Sequence, residues 1–375
     1  MPVELYIFSF FTVAYGALVT LAITGFNNLK RNYSYTSGEL PFISIVISAR
    51  NEEKTITKCL HGIINQKFPK DLYELILVDD CSEDDTVHVA QSILQQSGIN
   101  YSLLRQDFHR GKKQSLASGI EKSRGTIIVT SDADVTYRHA NWLNVIASYF
   151  KMHMPDMLVM PVDFENKPGI LVSFQVVENL ALTGFTSGFC GIKKPFLCNG
   201  ANLAFRKQAF TEAGGYEPHQ HISSGEDVFL MEAIKRIRPS GIHYVLLREL
   251  IVKTPAMQTL NTLLSQRIRW ASKSKNNPNH LNVFAGFVIM GANLIWVALG
   301  VALLKSSTLI PYLSIFAVTK FIFDFLLLFL AADFLGRVKY VWWIFPFECV
   351  YWIYTLIVGI GSLIYKPYWK GKKTQ

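Results

Sequence analysis

Two long apolar stretches, one at each end of the chain, constrain everything between them. Val3 to Phe26 is apolar for more than 20 positions, with Glu4 at its edge. At 1.5 Å per residue, such a segment crosses a bilayer core of about 30 Å. The C-terminal end holds three further candidates, Val283 to Leu304, Leu309 to Ala332 and Val341 to Ile364. Polar breaks at Lys305-Ser306-Ser307 and Asp333 to Lys339 separate them. The pattern divides the chain into an anchor (1–29), a polar body (41–255), an amphipathic segment (256–280), C-terminal membrane segments (281–365) and a basic tail (366–375).

The bulk composition conceals this division. Hydrophobic residues make up 50% of the 375 positions and aromatics 13%, and the excess lies at the two ends. The net charge of +9 raises nucleic acid as a partner, but no helix-turn-helix, zinc-finger or aromatic-basic RNA signature is present. The basic residues instead flank apolar stretches, at Lys30-Arg31, Lys273, Lys275, Lys305, Arg337, Lys339 and Lys366 to Lys373, which suits an anionic membrane surface. Membrane lipids are therefore expected partners, and nucleic acid is not. Five scattered cysteines with no CxxC pair argue against a disulfide framework and a structural zinc site.

Met1-Pro2-Val3-Glu4 lacks the basic start of a cleaved signal peptide. Lys30-Arg31 after the first segment places the N-terminus outside and the body in the cytosol, in an integral protein of a plasma or inner membrane. Four spans starting outside put the tail outside, yet the tail is basic. Val341 to Ile364, broken by Pro346 and Glu348, is the candidate for a re-entrant segment. Asp324 and Glu348 lie within apolar stretches, where ionisable groups face a bundle interior or a cavity. Ile170 to Phe189 is also apolar but contains Gln175, Glu178 and Asn179, and reads as a buried or membrane-surface helix of the body.

The body alternates strand and helix signals. Pro41 to Ser48, Tyr73 to Val78, Tyr101 to Leu104 and Thr126 to Thr130 are short runs rich in β-branched or aliphatic residues. Helical patterns over Glu52–Gln66, Thr86–Gln96 and Lys112–Lys122 intervene. Strands separated in this way build a mostly parallel α/β sheet flanked by helices, whose ligands bind at strand carboxyl ends. Asp79-Asp80 and Asp132-Ala133-Asp134 both fall at such ends.

Each charged cluster has a chemical and a plainer reading. Asp132 and Asp134 offer a hard divalent cation, Mg2+ or Mn2+, the oxygen ligands it requires; a solvated acidic turn has the same sequence. Glu52, Glu53, Asp84 and Asp85 suit helix starts. His109-Arg110-Gly111-Lys112-Lys113 places cations where a diphosphate would profit, or forms a basic turn. Gly225-Glu226-Asp227 opens a helix. His219 and His221 lack a third ligand nearby and read as loop residues. Gln266-Arg267-Ile268-Arg269-Trp270 sits on an amphipathic helix, Met257 to Ser272, and suits either a ligand grip or an interfacial anchor.

Taken in order, these clusters resemble the membrane-bound, inverting family 2 glycosyltransferases of the GT-A fold, over about residues 41 to 275. The resemblance implies a nucleotide-diphosphate sugar donor, most simply UDP-linked, and a lipid or glycan acceptor. It implies that Asp134 is the principal metal ligand, with Asp132 beside it. Asp79, Asp80, Lys112, Asp132, Gln266, Arg269 and Trp270 would bind the donor. Ser48 to Glu53 would form the first nucleotide loop, and Cys198 to Lys207 the acceptor side of the sugar. Asp227 would be the general base, with Glu226 beside it.

Three C-terminal segments are few for a polymer-conducting channel, which favours transfer of one or few sugars to a membrane lipid or lipid-linked acceptor, as in ceramide glucosyltransferases. A processive polysaccharide synthase, with a membrane partner subunit, is the alternative. A non-catalytic membrane scaffold is more remote, because no key acid is missing. A sugar-phosphate nucleotidyltransferase would want a Gly-rich basic loop after the first strand, and Ser48 to Glu53 is not one.

Overall fold

A computed structural model describes residues 3–29, 38–219, 225–272, 279–305 and 307–364, together with the backbone of 368–369 and 372–373. The expectations placed on Lys30-Arg31, His221, Lys273, Lys275, Lys366 and Lys370 lie outside the described residues. The chain divides into two compact units. One is helical (Met1–Leu29, Lys167–Leu197, Met257–Tyr368); the other is α/β (Lys30–Asn166, Cys198–Ala256, Trp369–Gln375).

The α/β unit begins with β1 (Ile43–Ala49), α2 (Ile56–Ile64), β2 (Tyr73–Asp79), α3 (Thr86–Gln95), β3 (Asn100–Arg105), α4 (Lys112–Lys122) and β4 (Ile127–Asp132). It continues with β5 (Thr136–Tyr137), α5 (Trp142–His153), β6 (Met157–Val159) and β7 (Val162–Phe164). After the inserted helical segment come β8 (Asn202–Arg206), α7 (Lys207–Glu212), α8 (Glu226–Ile237), β9 (Ile242–Tyr244) and β10 (Val252–Thr254). The main sheet has the order β3-β2-β1-β4-β8-β6-β9, and β5-β10-β7 form a smaller one. β1 to β4 are parallel, and β8 runs antiparallel to β4 and β6. Side chains on both faces of β1 and β2 are buried, which explains their unbroken aliphatic runs. Trp142, Tyr73, Ile45, Ile47 and Leu60 are among the largest fully buried side chains of this core. α4 lies directly on the sheet. A Cβ at Gly119 would come within 2.5 Å of Val46 Cγ1.

The strand order fixes where ligands meet the sheet. The direction of strand addition reverses between β1 and β4, and a crevice opens at such a switch point beyond the strand carboxyl ends. Register aligns Ala49 with Asp79 and Ser48 with Asp132, so the exits of β1, β2 and β4 share one rim.

The helical unit comprises α1 (Val3–Asn28), α6 (Ile170–Gly191), α9 (Leu260–Ser272), α10 (His280–Leu304), α11 (Ile310–Leu335) and α12 (Ile344–Ile364), with a 3-10 segment Val338–Trp343 before α12. Among the described residues, five helical stretches are long and apolar enough to cross a membrane: α1, α6, α10, α11 and Val338–Ile364. The sequence assigned α6 to the polar body. In the structure α6 belongs to the helical unit and lies on α1 with backbones in close approach. A Cβ at Gly25 would fall 1.8 Å from Gly188 O, and one at Gly191 2.0 Å from Gly25 O. Small residues permit this spacing between membrane helices.

The charges within the apolar helices have partners. Lys320 Nζ lies 2.7 Å from both Asp324 Oδ2 and Glu348 Oε2, Trp296 Nε1 donates to Glu348 Oε2 at 3.0 Å, and Tyr15 OH donates to Asp324 Oδ1. This buried cluster joins α1, α10, α11 and α12. Breaking a buried pair from one side leaves a stranded charge and costs about 3–5 kcal/mol. Lys320→Met is expected to lower the thermal midpoint of the detergent-solubilised protein, and adding Asp324→Asn and Glu348→Gln to recover most of the loss. An unchanged midpoint in Lys320→Met would refute the role of this cluster.

Candidate active site

The loops leaving β1 and β2 are laced together. Arg50 Nη1 donates to the carbonyl oxygens of Asp80 (2.9 Å) and Cys81 (2.8 Å), and Nη2 pairs with Glu83 at 2.8 Å. Asn51 N–H donates to Ser82 Oγ at 3.0 Å, and Asn51 Oδ1 accepts from Glu83 N–H at 2.9 Å. Asn51 (φ 52°) and Cys81 (φ 61°) both sit in the left-handed region. Such strain persists only where surroundings enforce it, and it concentrates at binding sites. Nothing in the composition of the loop singles out Arg50 as its organiser. Glu52 and Asp84 follow the plainer reading. Glu52 Oε2 accepts from Thr55 Oγ1 at 2.6 Å, and Asp84 Oδ1 accepts from Thr86 N–H at 3.1 Å, each at a helix start. Burial would raise the Asp84 carboxyl, but the Thr86 hydroxyl and the backbone N–H groups of Glu53 and Thr86 hold it below the usual range.

Asp79 and Asp80, expected to contact the donor, accept hydrogen bonds from within the chain. Asp79 is 1% exposed and accepts from Ser82 N–H at 3.2 Å, with Arg105 Nε 3.7 Å away. Asp80 is 0% exposed. It takes His109 Nδ1 at 2.6 Å, Arg110 N–H at 2.7 Å and Gly111 N–H at 2.9 Å. The Asp80 carboxylate is thus enclosed by the chain's own donors. It fixes the turn His109–Gly111, where Gly111 (φ 96°) leads into α4, and so sets where Lys112 begins its reach.

Lys112 joins two of the expected clusters. Its Nζ lies 2.5 Å from Asp132 Oδ1 and 3.6 Å from Glu226 Oε1. Burial alone would lower its pKa; the Asp132 and Glu226 carboxylates more than offset this, and the ammonium stays charged. Glu226 and Asp227 occupy the first turn of α8, where the helix dipole favours negative charge. Gly225 (φ 94°) caps that helix. Asp227 Oδ2 accepts from Gly200 N–H at 2.9 Å and Oδ1 from Val228 N–H at 2.9 Å. A Cβ at Gly200 would approach the Asp227 Cβ to 3.4 Å. The antiparallel pair β4–β8 brings these together, because Ser131 faces Asn202 in register. Thr130 Oγ1 donates to Gly200 O at 3.2 Å, and Ser131 Oγ to Ala201 O at 3.1 Å. Lys112, Asp132, Gly200, Glu226 and Asp227 therefore share one neighbourhood.

Asp134 accepts from Thr254 Oγ1 at 3.5 Å. Among the described residues no group of three His, Cys, Asp or Glu side chains could hold a metal. Two half-exposed carboxylates past a strand end still fit Mg2+ or Mn2+, ions that keep waters and take substrate phosphate oxygens beside one or two carboxylates. Two further residues belong to this region. Asn202, expected on the acceptor side, is a satisfied buried amide. Its Nδ2 donates to Pro161 O and Leu250 O at 2.8 Å each, and its Oδ1 accepts from Trp142 Nε1 at 3.2 Å. Tyr216, which the sequence did not mark, is buried; burial pushes its phenol up, and the Glu226 and Asp227 carboxylates add to the shift.

Gln266, Arg269 and Trp270 belong to the helical unit, on α9. They are half-buried, whereas the spacer residues Arg267 and Ile268 are buried. Arg267 Nε and Nη2 grip Glu178 Oε2 at 2.8 and 2.5 Å, and Tyr354 OH donates to Glu178 Oε1 at 2.5 Å. The Arg267 guanidinium also lies 4.3 Å over the Trp270 ring. The sequence had marked Glu178 only as a polar interruption in an apolar helix.

A family model described as Glycosyl transferase family 2 matches residues 44–213. Glycosyltransferase AglE of Haloferax volcanii is 27% identical over 232 residues, which cover 61% of this chain and 72% of that protein. The beta-monoglucosyldiacylglycerol synthase of Trichormus variabilis is 24% identical over 236 residues, 62% of this chain but 49% of its own length; the chain thus spans about half of that relative. The solved structure of mannosyltransferase PcManGT from Pyrobaculum calidifontis, in complex with GDP-Man and Mn2+, aligns with a TM-score of 0.63 at 15% identity, over 96% of this chain and 99% of that one. The fold is GT-A-like, as the resemblance implied, with the mostly parallel sheet flanked by helices that the order of strands and helices led one to expect.

Proposed function

Because residues 44–213 match the Glycosyl transferase family 2 model and the similar curated proteins are glycosyltransferases, we propose that the chain moves a sugar from a nucleotide-diphosphate donor, a UDP-sugar, to a membrane lipid or lipid-linked acceptor, with inversion at the anomeric carbon. One observation carries this reading: Lys112, Asp132, Glu226 and the Asp227–Gly200 pair meet at the carboxyl end of β4. An acid poised to accept a proton stands there beside charges suited to a diphosphate.

The reaction assigns work to each residue. The acceptor hydroxyl oxygen attacks the anomeric carbon, the bond from that carbon to the diphosphate breaks, and the hydroxyl proton passes to the Asp227 carboxylate. Gly200 N–H and Val228 N–H hold that carboxylate in place. The loops Ser48 to Glu53 and Asp79 to Asp85, fixed by Arg50 and Asn51, form the nucleoside cradle. Asp134, with Asp132, would hold a divalent cation, which neutralises charge on the departing diphosphate when bound. Lys112 adds a fixed positive charge. Gln266, Arg269 and Trp270 are the residues that the family resemblance gives to the donor, on a helix that Arg267 and Glu178 anchor within the helical unit. Arg267→Gln is accordingly expected to reduce kcat by about tenfold or more, and Arg267→Lys by less; equal, native-like rates in both would remove the anchoring role.

The five apolar helical stretches favour a lipid acceptor, and the basic pair Lys30-Arg31 after the first of them favours a cytosol-facing body. The test is a panel of radiolabelled UDP-sugars given to membranes containing the protein. A labelled product that partitions into organic solvent is expected. A high-mass polymer would point instead to a processive synthase, and no incorporation from any donor would refute the reading.

A further inference from the structure

Lys112 occupies an unusual position for a diphosphate-binding residue: its ammonium is already spent on the acids. Nζ contacts Asp132 Oδ1 at 2.5 Å and Glu226 Oε1 at 3.6 Å. The side chains of Lys112 and Asp132 are 24% and 35% exposed, so the contact is partly desolvated and weakly screened. We propose that Lys112 is an internal counter-cation. It holds Asp132 Oδ1 in place of a divalent ion and opposes ligation of that carboxylate by a metal until it is drawn away, so that metal and diphosphate bind jointly. This rests on the metal reading of Asp132 and Asp134 given above, and deepens it into a rule for the order and coupling of binding.

Three arguments support the rule. A ligating oxygen must approach Mg2+ to about 2.0–2.1 Å, and an ammonium in contact with the same oxygen opposes a second cation there. A diphosphate offers the ammonium a stronger partner than one carboxylate does, through charge-assisted hydrogen bonds. The movable part is the side chain alone: Asp80 pins the turn His109–Gly111, so the Lys112 backbone is fixed while its four-carbon stem turns. As the diphosphate draws Lys112 away, Asp132 becomes available, and by linkage metal must strengthen nucleotide binding by the same factor that nucleotide strengthens metal binding. The device would discourage Asp132 from taking up metal in the absence of nucleotide.

The test is calorimetric titration of the full chain in detergent with Mn2+, alone and with saturating UDP. Lys112→Gln is expected to bind Mn2+ alone about tenfold more tightly than the native protein, equivalent to about 1.4 kcal/mol, and to gain less from UDP. Lys112→Arg keeps the charge and is expected to behave like the native protein. Lys112→Met, similar in length, carries the same expectation as the Gln variant should that one not fold. Native-like or weaker Mn2+ affinity in the neutral variants, with binding lost in Asp134→Ala, overturns the counter-cation role and leaves the metal site standing. No Mn2+ binding by the native protein even with UDP overturns both.

Discussion

Asp227→Asn is expected to lower the rate of sugar transfer at saturating donor by about 10³-fold or more, the upper part of the range for a lost general base, while the dissociation constant for UDP changes by less than about threefold. The substitution keeps size and one acceptor oxygen. Its amide nitrogen must, however, face either Gly200 N–H or Val228 N–H, both of which now donate to the carboxylate at 2.9 Å. One donor is left unmatched, at a cost of about 1–3 kcal/mol. A thermal midpoint measured on the same preparation separates that loss from the chemical one. Transfer at the native rate would show that the base lies elsewhere.

The second large effect concerns Asp134. Asp134→Ala is expected to weaken Mn2+-dependent UDP binding by at least about a hundredfold, more than the 10–100-fold typical of residues that only support a ligand. Binding measured with chelator in place of Mn2+ should hardly change. A thermal midpoint measured on the same preparation separates any structural loss, including that of the 3.5 Å contact from Thr254 Oγ1, from the loss of metal. Equal UDP affinity in the variant and native protein, with Mn2+ present, would remove Asp134 from the metal site.

These expectations show which features the sequence expresses. Parallel strands buried on both faces leave aliphatic runs, so β1, β2 and β4 were legible to within two or three residues, and acids at their carboxyl ends followed from topology. Local patterns also marked Lys112 and Gly225-Glu226-Asp227. Burial in three dimensions was not legible. Asp79-Asp80 reads as a nucleoside-reading loop at a strand end; that both side chains are enclosed, with Asp80 accepting from the N–H groups of the turn before α4, has no local signal. α2 starts at Ile56 rather than Glu52, because Glu52 and Thr55 form a local turn. α6 carries the same ambiguity at larger scale: its composition suits a buried helix, and only packing against α1 places it with the helical unit. Arg267 and Glu178 are 89 positions apart, a separation that no local pattern reports.

The central claim is direct displacement at one acid-bearing rim, with Asp227 taking the proton. The anomeric configuration of the purified product, formed from an α-linked UDP-sugar and read from the anomeric proton coupling by NMR, tests it most directly. A β-linked product is predicted. An α-linked product would contradict a single displacement and with it the assigned role of Asp227.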